Sequence, residues 1–508
     1  MTAHNSPQAA TADIALILEG SYPFVTGGVS QWVQQIIENF PQYTFAVLFL
    51  GSSPENYTAG LRYQLPSNVV HLQIEYLFAS ETAPKPEDLT ANQRDFEKIT
   101  ALHQEFRQNL DERKCPMADI SSYLDTINSI EYRQFLYSKN SWDYITAQYT
   151  EYCTDPSFID YFWTVKNIHR PLWVLANIIN HIPKVKVLHT ISTGYAGLIG
   201  ALLHHHYSQT SQKLPLILTE HGIYTKERRI DILHSEIVRD YSVLDRGITD
   251  VSYLRDLWNR YFETLGRLCY QAADPIISLF SAAHTLQLEG GAPAEKTRII
   301  ANGINIARFS PLRRAWAERE CVIGFIGRVV PIKDVKNFIR SIAVVLNQLP
   351  QITAWIVGGE DEDPEYAQEC HELVETLSLQ QQIVFKSYQK VEDIFPRIQL
   401  MVLSSISESM PLVLLESFAA GVPVVATDVG ACSELIYGIA AEDKAIGPCG
   451  ATVKIADPQA LGQAVVNFLT NQELWEQASK AAILRVEKFY DEKMMIAKYS
   501  DIYAERIR

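Results

Sequence analysis

The sequence contains no uninterrupted apolar run of the ~18 residues that a membrane-spanning helix requires, so no direct membrane span is expected. Its first dozen residues, MTAHNSPQAATA, have neither the basic start nor the apolar centre of a secretory signal. Residues 1–12 therefore read as a disordered leader. Cysteine is sparse, with seven scattered residues, no CxxC pair and no histidine at metal-ligand spacing. An odd number of cysteines without an export segment fits reduced thiols and a cytoplasmic location. Positive charge is also short: 44 Lys and Arg stand against 59 Asp and Glu, a formal net charge of −15. That balance argues against broad nucleic-acid binding and against direct adhesion to anionic lipid. Any association with the inner membrane would then be peripheral, through protein partners. Internal repeats and low-complexity tracts are missing as well.

What is present is a chain of 508 residues, 47% apolar and 20% charged. It is long enough for two or three globular domains. The stretch around which it is organised is SSISESMPLVLLESFAAGVPVVAT, residues 404–427. MVLS at 401–404 suits a buried parallel strand, and VPVVA at 422–426 supplies the next one. Between them Pro411 fits the first helical position, Ser409 a cap, and Gly421 the helix end. Glu408 falls in the loop at the carboxyl end of the strand, where open α/β sheets bind ligands. Glu416 follows eight positions later, inside the helix. The first amides of that helix, at Leu412 and Val413, suit a phosphate. Two carboxylates flanking an anion site match a ligand with hydroxyl groups on both sides of a phosphate, as in a nucleotide-sugar. The same spacing also fits a helix with one surface Glu and one loop Glu.

Taken in order, DIALIL (13–18) reads as a first strand. Gly27 and Gly28 lie where its loop becomes a helix, starting near Val29 or Ser30. Glycines there let backbone approach a ligand, although such pairs also merely shape loops. FAVLFL (45–50) and 69–74 continue the strands. From about 85 to 182 the chain is aromatic, charged and helical in pattern, an insertion whose aromatics pack on the parent domain or line an acceptor groove. The α/β rhythm resumes at KVLH (186–189) and LPLILT (214–219). His221 then follows a strand end, where a polar side chain can reach a cleft. Arg228 and Arg229 read as solvated, and His204–His206 as a surface run rather than a metal site, since consecutive helical positions do not face one another.

ANGINIARFSP, beginning at 301, marks the boundary between a first domain at 13–310 and a second at 311–485. The second restarts the rhythm with VIGFIGRVVPIKD and adds ITAWIVGG, QIVFKS, LMVLSS and VPVVAT as strands. Both domains read as doubly wound. Arg328 and Lys333, in the loop after the first of these strands, could neutralise a diphosphate, Arg with a planar fork and Lys as a point charge. The acidic run Glu360–Asp363 has the look of a metal cluster, but a solvated loop accounts for it. Residues 486–508 form an amphipathic helix expected to cross back to the first domain.

Together these residues resemble the retaining GT-B glycosyltransferases of family 4. The likeness rests on the GGV loop at Gly27–Val29, ANGINIARF at 301–309, the GR…K of Gly327–Lys333 and the Glu408–Glu416 pair. It covers nearly the whole chain after residue 12. The first half, through ILEGSYPFVTGGVSQWVQ, the aromatic insertion and TEHGIYTKERR, is similar to PelF, the glycosyltransferase family of bacterial Pel exopolysaccharide synthesis.

The resemblance implies a GT-B fold of two facing Rossmann-like domains and hexosyl transfer from a UDP-sugar to a polysaccharide acceptor. It also implies partners in a synthase complex and no metal or other cofactor. Arg328 and Lys333 would hold the donor diphosphate, with support from Met410 and the amides of Leu412 and Val413. Glu416 would bind the ribose, Glu408 and His221 would act beside the transferred sugar, Gly27 and Gly28 would let the first domain approach the donor, and Tyr388 would lie near the base. Ser409, Met410 and Ser417 depart from the usual E-G-F-P-x4-E-A pattern, which bears on the loop path rather than on the two carboxylates. Retention is open to same-face attack or to Glu408 as a covalent nucleophile. A sugar-nucleotide epimerase and a non-catalytic nucleotide-sugar sensor are the alternative readings.

Overall fold

A computed structural model of the protein describes residues 11–79, 89, 91–105, 124, 126, 128–208, 213–234 and 252–507. The leader, apart from its last two residues, and parts of the expected insertion lie outside the described residues. Ala12 is buried and its N–H donates to Lys184 O at 3.0 Å, so ordered packing already includes it. By packing, the chain divides into two units. The first comprises Met1–Ser278, His284–Arg298 and Ile502–Arg508, and the second Leu279–Ala283 and Ile299–Asp501.

The first unit is built on a seven-stranded sheet. Its strands are β1 (Ile14–Glu19), β2 (Phe45–Gly51), β3 (Val69–Tyr76), β4 (Val187–Thr190), β5 (Leu216–Glu220), β6 (Ile276–Ser278) and β7 (Thr297–Ile299). They lie in the order β3-β2-β1-β4-β5-β6-β7. The central strands are continuous apolar runs because helices cover both faces, and every residue of β2 and β5 is buried. Helix Gly28–Asn39 turns Trp32, Val33, Ile36 and Ile37 to the core, the stripe that a 3.6-residue period produces.

Between β3 and β4 the described chain is helical, at Gln93–Glu105, Tyr132–Tyr137, Lys139–Tyr152 and Phe158–His181. Its aromatics form a core of their own with Phe96, Phe135, Tyr161 and Leu254. The second half of the longest helix, from Ile168 to Ile179, packs instead into the core of the first sheet.

The second unit carries a six-stranded sheet. Its strands are β8 (Val322–Ile326), β9 (Thr353–Val357), β10 (Ile383–Lys386), β11 (Leu400–Leu403), β12 (Val424–Thr427) and β13 (Gly450–Val453). Their order is β10-β9-β8-β11-β12-β13, with every pair parallel. The order therefore reverses direction between β8 and β11, where Leu400 pairs with Ile323. In doubly wound sheets this switch point opens a crevice beyond the carboxyl ends of the two strands. Strand β13 was not expected from the sequence. The C-terminal run is two helices, Gln472–Phe489 and Glu492–Ile507, interrupted at Tyr490–Asp491, rather than one helix from 486. Among the described residues no helix is long and apolar enough to cross a membrane.

Candidate functional site

The loops that leave β8 and β11 are stitched together at the switch point of the second sheet. Ser404 Oγ donates to Lys333 O at 2.9 Å, and Ile406 N donates to Ile332 O at 2.9 Å. Across this seam Lys333 Nζ lies 2.5 Å from Glu408 Oε1. Glu408 accepts a second bond from Ser405 Oγ at 2.6 Å, so its orientation is fixed from two sides. The pair is mostly withdrawn from water, with side-chain exposures of 19% for Lys333 and 11% for Glu408. Charges at this depth are screened far less than surface pairs.

The path of the acidic loop is set from behind. Thr427 Oγ1, at the end of β12, donates to Ser405 O at 2.6 Å, and Ala431 N donates to Ser409 O at 2.8 Å. Gly430 adopts φ 54° against this loop, and a Cβ there would meet Ser409 O at 2.2 Å and Glu408 O at 2.3 Å. Only glycine fits both the conformation and the space. Ser409 is therefore a backbone anchor. The helix runs Leu412–Ala419 with Pro411 as its N-cap residue and no side-chain cap, one position later than the sequence indicated. Leu412 and Val413 supply first-turn amides, which an α-helix cannot satisfy from within. Gly421, at φ 70°, ends the helix as expected. Met410 is buried, and its sulfur accepts the N–H of Asn302 at 3.3 Å.

Glu416 stands inside this helix with 8% exposure. Burial pushes its carboxyl up to about 7; Arg308 opposes the shift and Glu392 adds to it. Arg308 Nε is 2.6 Å from Glu392 Oε1, so a cation and a second carboxylate accompany Glu416. Arg308 belongs to the ANGINIARF stretch, but neither its role nor that of Glu392 was recognised from the sequence.

Arg328 leaves β8 toward the other side. Both oxygens of Glu362, in the loop after β9, lie 2.5 Å from its Nη1. The acidic run is thus more than a solvated loop, because three of its carboxylates have protein partners. Glu360 bonds His371 Nε2 at 2.7 Å, Glu362 holds Arg328, and Asp363 caps the helix Pro364–Thr376 through Tyr366 N at 3.0 Å. Among the described residues no group of three or more His, Cys, Asp and Glu side chains converges as a metal site requires. Tyr388 is exposed, with its ring laid against the backbone of Gly359, where a Cβ would meet its hydroxyl at 2.5 Å.

The remaining expected residues belong to the first unit. Gly28 is the first residue of the helix Gly28–Asn39, slightly earlier than expected, and Gly27 is its N-cap. His221, just past β5, is buried, and Trp32 of the same helix meets its ring edge-on at 4.6 Å between centroids. Burial pushes its imidazole down to about 3, so it is neutral at physiological pH. Trp32 reads in the sequence as one member of a helical core stripe and is buried as such; only its contact with His221 was not legible there.

Residues 12–295 match the family described as "Domain of unknown function (DUF3492)", which is more than half of the chain. The chain belongs to the DUF3492 family. Residues 320–471, which include Arg328, Lys333, Glu408 and Glu416, match glycosyl transferases group 1. Among curated relatives, the D-inositol 3-phosphate glycosyltransferase of Streptomyces scabiei is 29% identical over 217 residues, 39% of this chain and 46% of that protein. The N-acetyl-alpha-D-glucosaminyl L-malate synthase of Bacillus anthracis is 25% identical over 38% of this chain and 47% of that protein. The chain spans about half the length of these relatives.

Among solved structures, Anabaena HepE in complex with UDP and glucose aligns with a TM-score of 0.58 at 14% identity, covering 97% of this chain and all of that one. The sucrose-phosphate synthase of Thermosynechococcus elongatus aligns at 0.55 with 15% identity, covering 97% and 98%. The chain thus has the GT-B fold, with two Rossmann-like parallel-sheet domains.

Proposed function

We propose that the chain is a retaining glycosyltransferase that moves a hexose or N-acetylhexosamine from a UDP-sugar to a growing polysaccharide of the Pel exopolysaccharide type. The observation that carries this reading is the Lys333–Glu408 pair at the β8/β11 switch point. A cation for the leaving diphosphate and a carboxylate for the sugar hydroxyls stand side by side there, which supports holding the phosphate–sugar junction of the donor at this pair. UDP and the Pel-type acceptor are proposed from the likeness of ILEGSYPFVTGGVSQWVQ and TEHGIYTKERR to PelF.

In this reading the diphosphate gains negative charge as the glycosidic bond breaks. Lys333 and the amides of Leu412 and Val413 stabilise that charge from fixed positions, which is the main source of catalysis in such transfers, and Arg328 adds its guanidinium. Glu416 accepts hydrogen bonds from the ribose, and Tyr388 flanks the base. In the first unit His221 acts as a neutral hydrogen-bonding group, and the Gly27–Gly28 turn lets backbone come close to a ligand. The leaving phosphate takes the acceptor proton during same-face attack, and no metal is required. The protein works in the cytoplasm, held at the inner membrane by synthase partners.

The test is transfer of labelled sugar from a panel of UDP- and GDP-sugars into oligosaccharide. Lys333→Ala and Glu408→Ala are expected to lower turnover by at least ~100-fold with the circular dichroism of the fold intact, the scale seen when one charge-stabilising group is removed. Unchanged turnover in either variant rejects the assignment. Label recovered only as a free isomer favours an epimerase, and binding without turnover favours a sensor.

A further inference from the structure

The two cations of the β8 loop are both neutralised by carboxylates, but the two pairs are built differently. Glu408 is fixed by Lys333, Ser405 and the backbone anchors at Thr427 and Ala431, and its side chain is 11% exposed. Glu362 is 50% exposed, and its partner Arg328 is 34% exposed. The directions also differ. Lys333 reaches the loop of β11, on the crevice side of β8, whereas Arg328 reaches the loop of β9, the neighbour on the opposite side.

Both oxygens of Glu362 address one guanidinium nitrogen, Nη1. A carboxylate presents to a guanidinium the same paired oxygens that a phosphate does. An exposed pair of this kind is held weakly and exchanges readily.

We infer that Glu362 is a built-in competitor for the donor diphosphate. It holds Arg328 on the β9 side and competes with the diphosphate for the guanidinium, and in this way sets donor affinity. The inference rests on the donor-site reading of Arg328 proposed above. While Arg328 is parked, the binding-competent arrangement is only partly populated, and the apparent affinity falls by that fraction. Glu362 is then a positioning residue that acts through Arg328. Its removal lowers the donor KM and leaves kcat in place.

Titration calorimetry of the full chain with UDP tests this, using Glu362→Gln beside Asp361→Asn. The second variant removes the same charge one position away. For an exposed pair the expected gain in UDP affinity for Glu362→Gln is about 2- to 5-fold, with no comparable gain for Asp361→Asn. Equal gains in both variants would mean general charge repulsion, and no gain or weaker binding in Glu362→Gln would mean that Glu362 does not compete. Either result overturns the inference alone. Failure of UDP to bind the wild-type chain and both variants overturns the donor-site reading and the inference with it.

Discussion

Glu416 is a carboxylate held almost entirely out of water, and its ionisation is tied to the stability of the unit that buries it. Its carboxyl rises from an ordinary value of 4.5 to about 7, because burial penalises the charged form more than Arg308 relieves it. A raised carboxyl binds its proton more tightly in the folded chain than in the unfolded one. The stability this confers is fully present below pH 4.5 and is lost as pH rises toward 7. A shift of this size corresponds to about 3 kcal/mol. Glu416→Gln, neutral at every pH, should therefore match the wild type in urea unfolding near pH 4.5 and exceed it by up to about 3 kcal/mol at pH 8. Parallel stability profiles for the two proteins would show that Glu416 ionises freely in the fold. Glu416 itself was legible in the sequence as the second acid of a spaced pair. The charges that tune it were not, because Arg308 and Glu392 reach it from stretches far away along the chain.

At the scale of elements, the site depends on the clasp between the acidic loop and the turn after β12. Gly430→Ala forces a Cβ to within 2.3 Å of two carbonyl oxygens at a φ of 54°, so the Glu408 loop has to move. The expected cost is about 1–3 kcal/mol of stability, together with weakened UDP binding. Gly447→Ala provides the control, since its φ is also positive, at 94°, but no atom lies within 4 Å of the added carbon. If the two variants bind UDP equally well, the clasp does not set the position of Glu408. The flanking strands β11 and β12 were readable because burial on both faces makes each a continuous apolar run. Strand β13 was not readable, because it lies at the edge of the sheet, is largely half-buried, and spells GATV without such a run. The ligand-binding end of the sheet followed from the position of Glu408 at a strand end, but the strand order that makes it a switch point is set by crossovers and not by any local pattern. The partner of Glu362, an exposed loop residue as expected, was missed for a related reason. A run of acids in a loop has the composition of a solvated segment, and its bond to Arg328 exists only because β9 lies beside β8.

At the scale of the whole molecule, sequence order and packing order disagree at both ends of the second unit. The strand-by-strand rhythm places the boundary near 310, yet Leu279–Ala283 pack with the second unit and His284–Arg298 with the first. The last helix, Glu492–Ile507, is likewise divided, its final residues from Ile502 belonging to the first unit. Ile502 and Tyr503 are buried there. Tyr503 OH is 2.7 Å from His189 Nδ1, while His189 Nε2 is 2.9 Å from Thr219 Oγ1, so the chain terminus closes a polar chain across β4 and β5. Phe40 meets the Tyr503 ring edge-on at 5.2 Å, and Arg506 pairs with Asp274 at 3.0 Å. Burial, with a smaller contribution from His221, pushes His189 down to about 3. A chain ending at Asp501 should lose about 3–5 kcal/mol of first-unit stability, the usual consequence of removing a large buried aromatic side chain. In that truncation the imidazole of His189 should titrate higher than in the full chain as its burial is relieved, and the amides of β4 and β5 should exchange faster while those of β11 and β12 keep their protection. Tyr503→Phe keeps the ring packing and removes only the hydroxyl, so it should cost about 1–3 kcal/mol. If β4 and β5 keep full protection in the truncated chain, the terminal residues are a surface attachment and the first unit is complete without them.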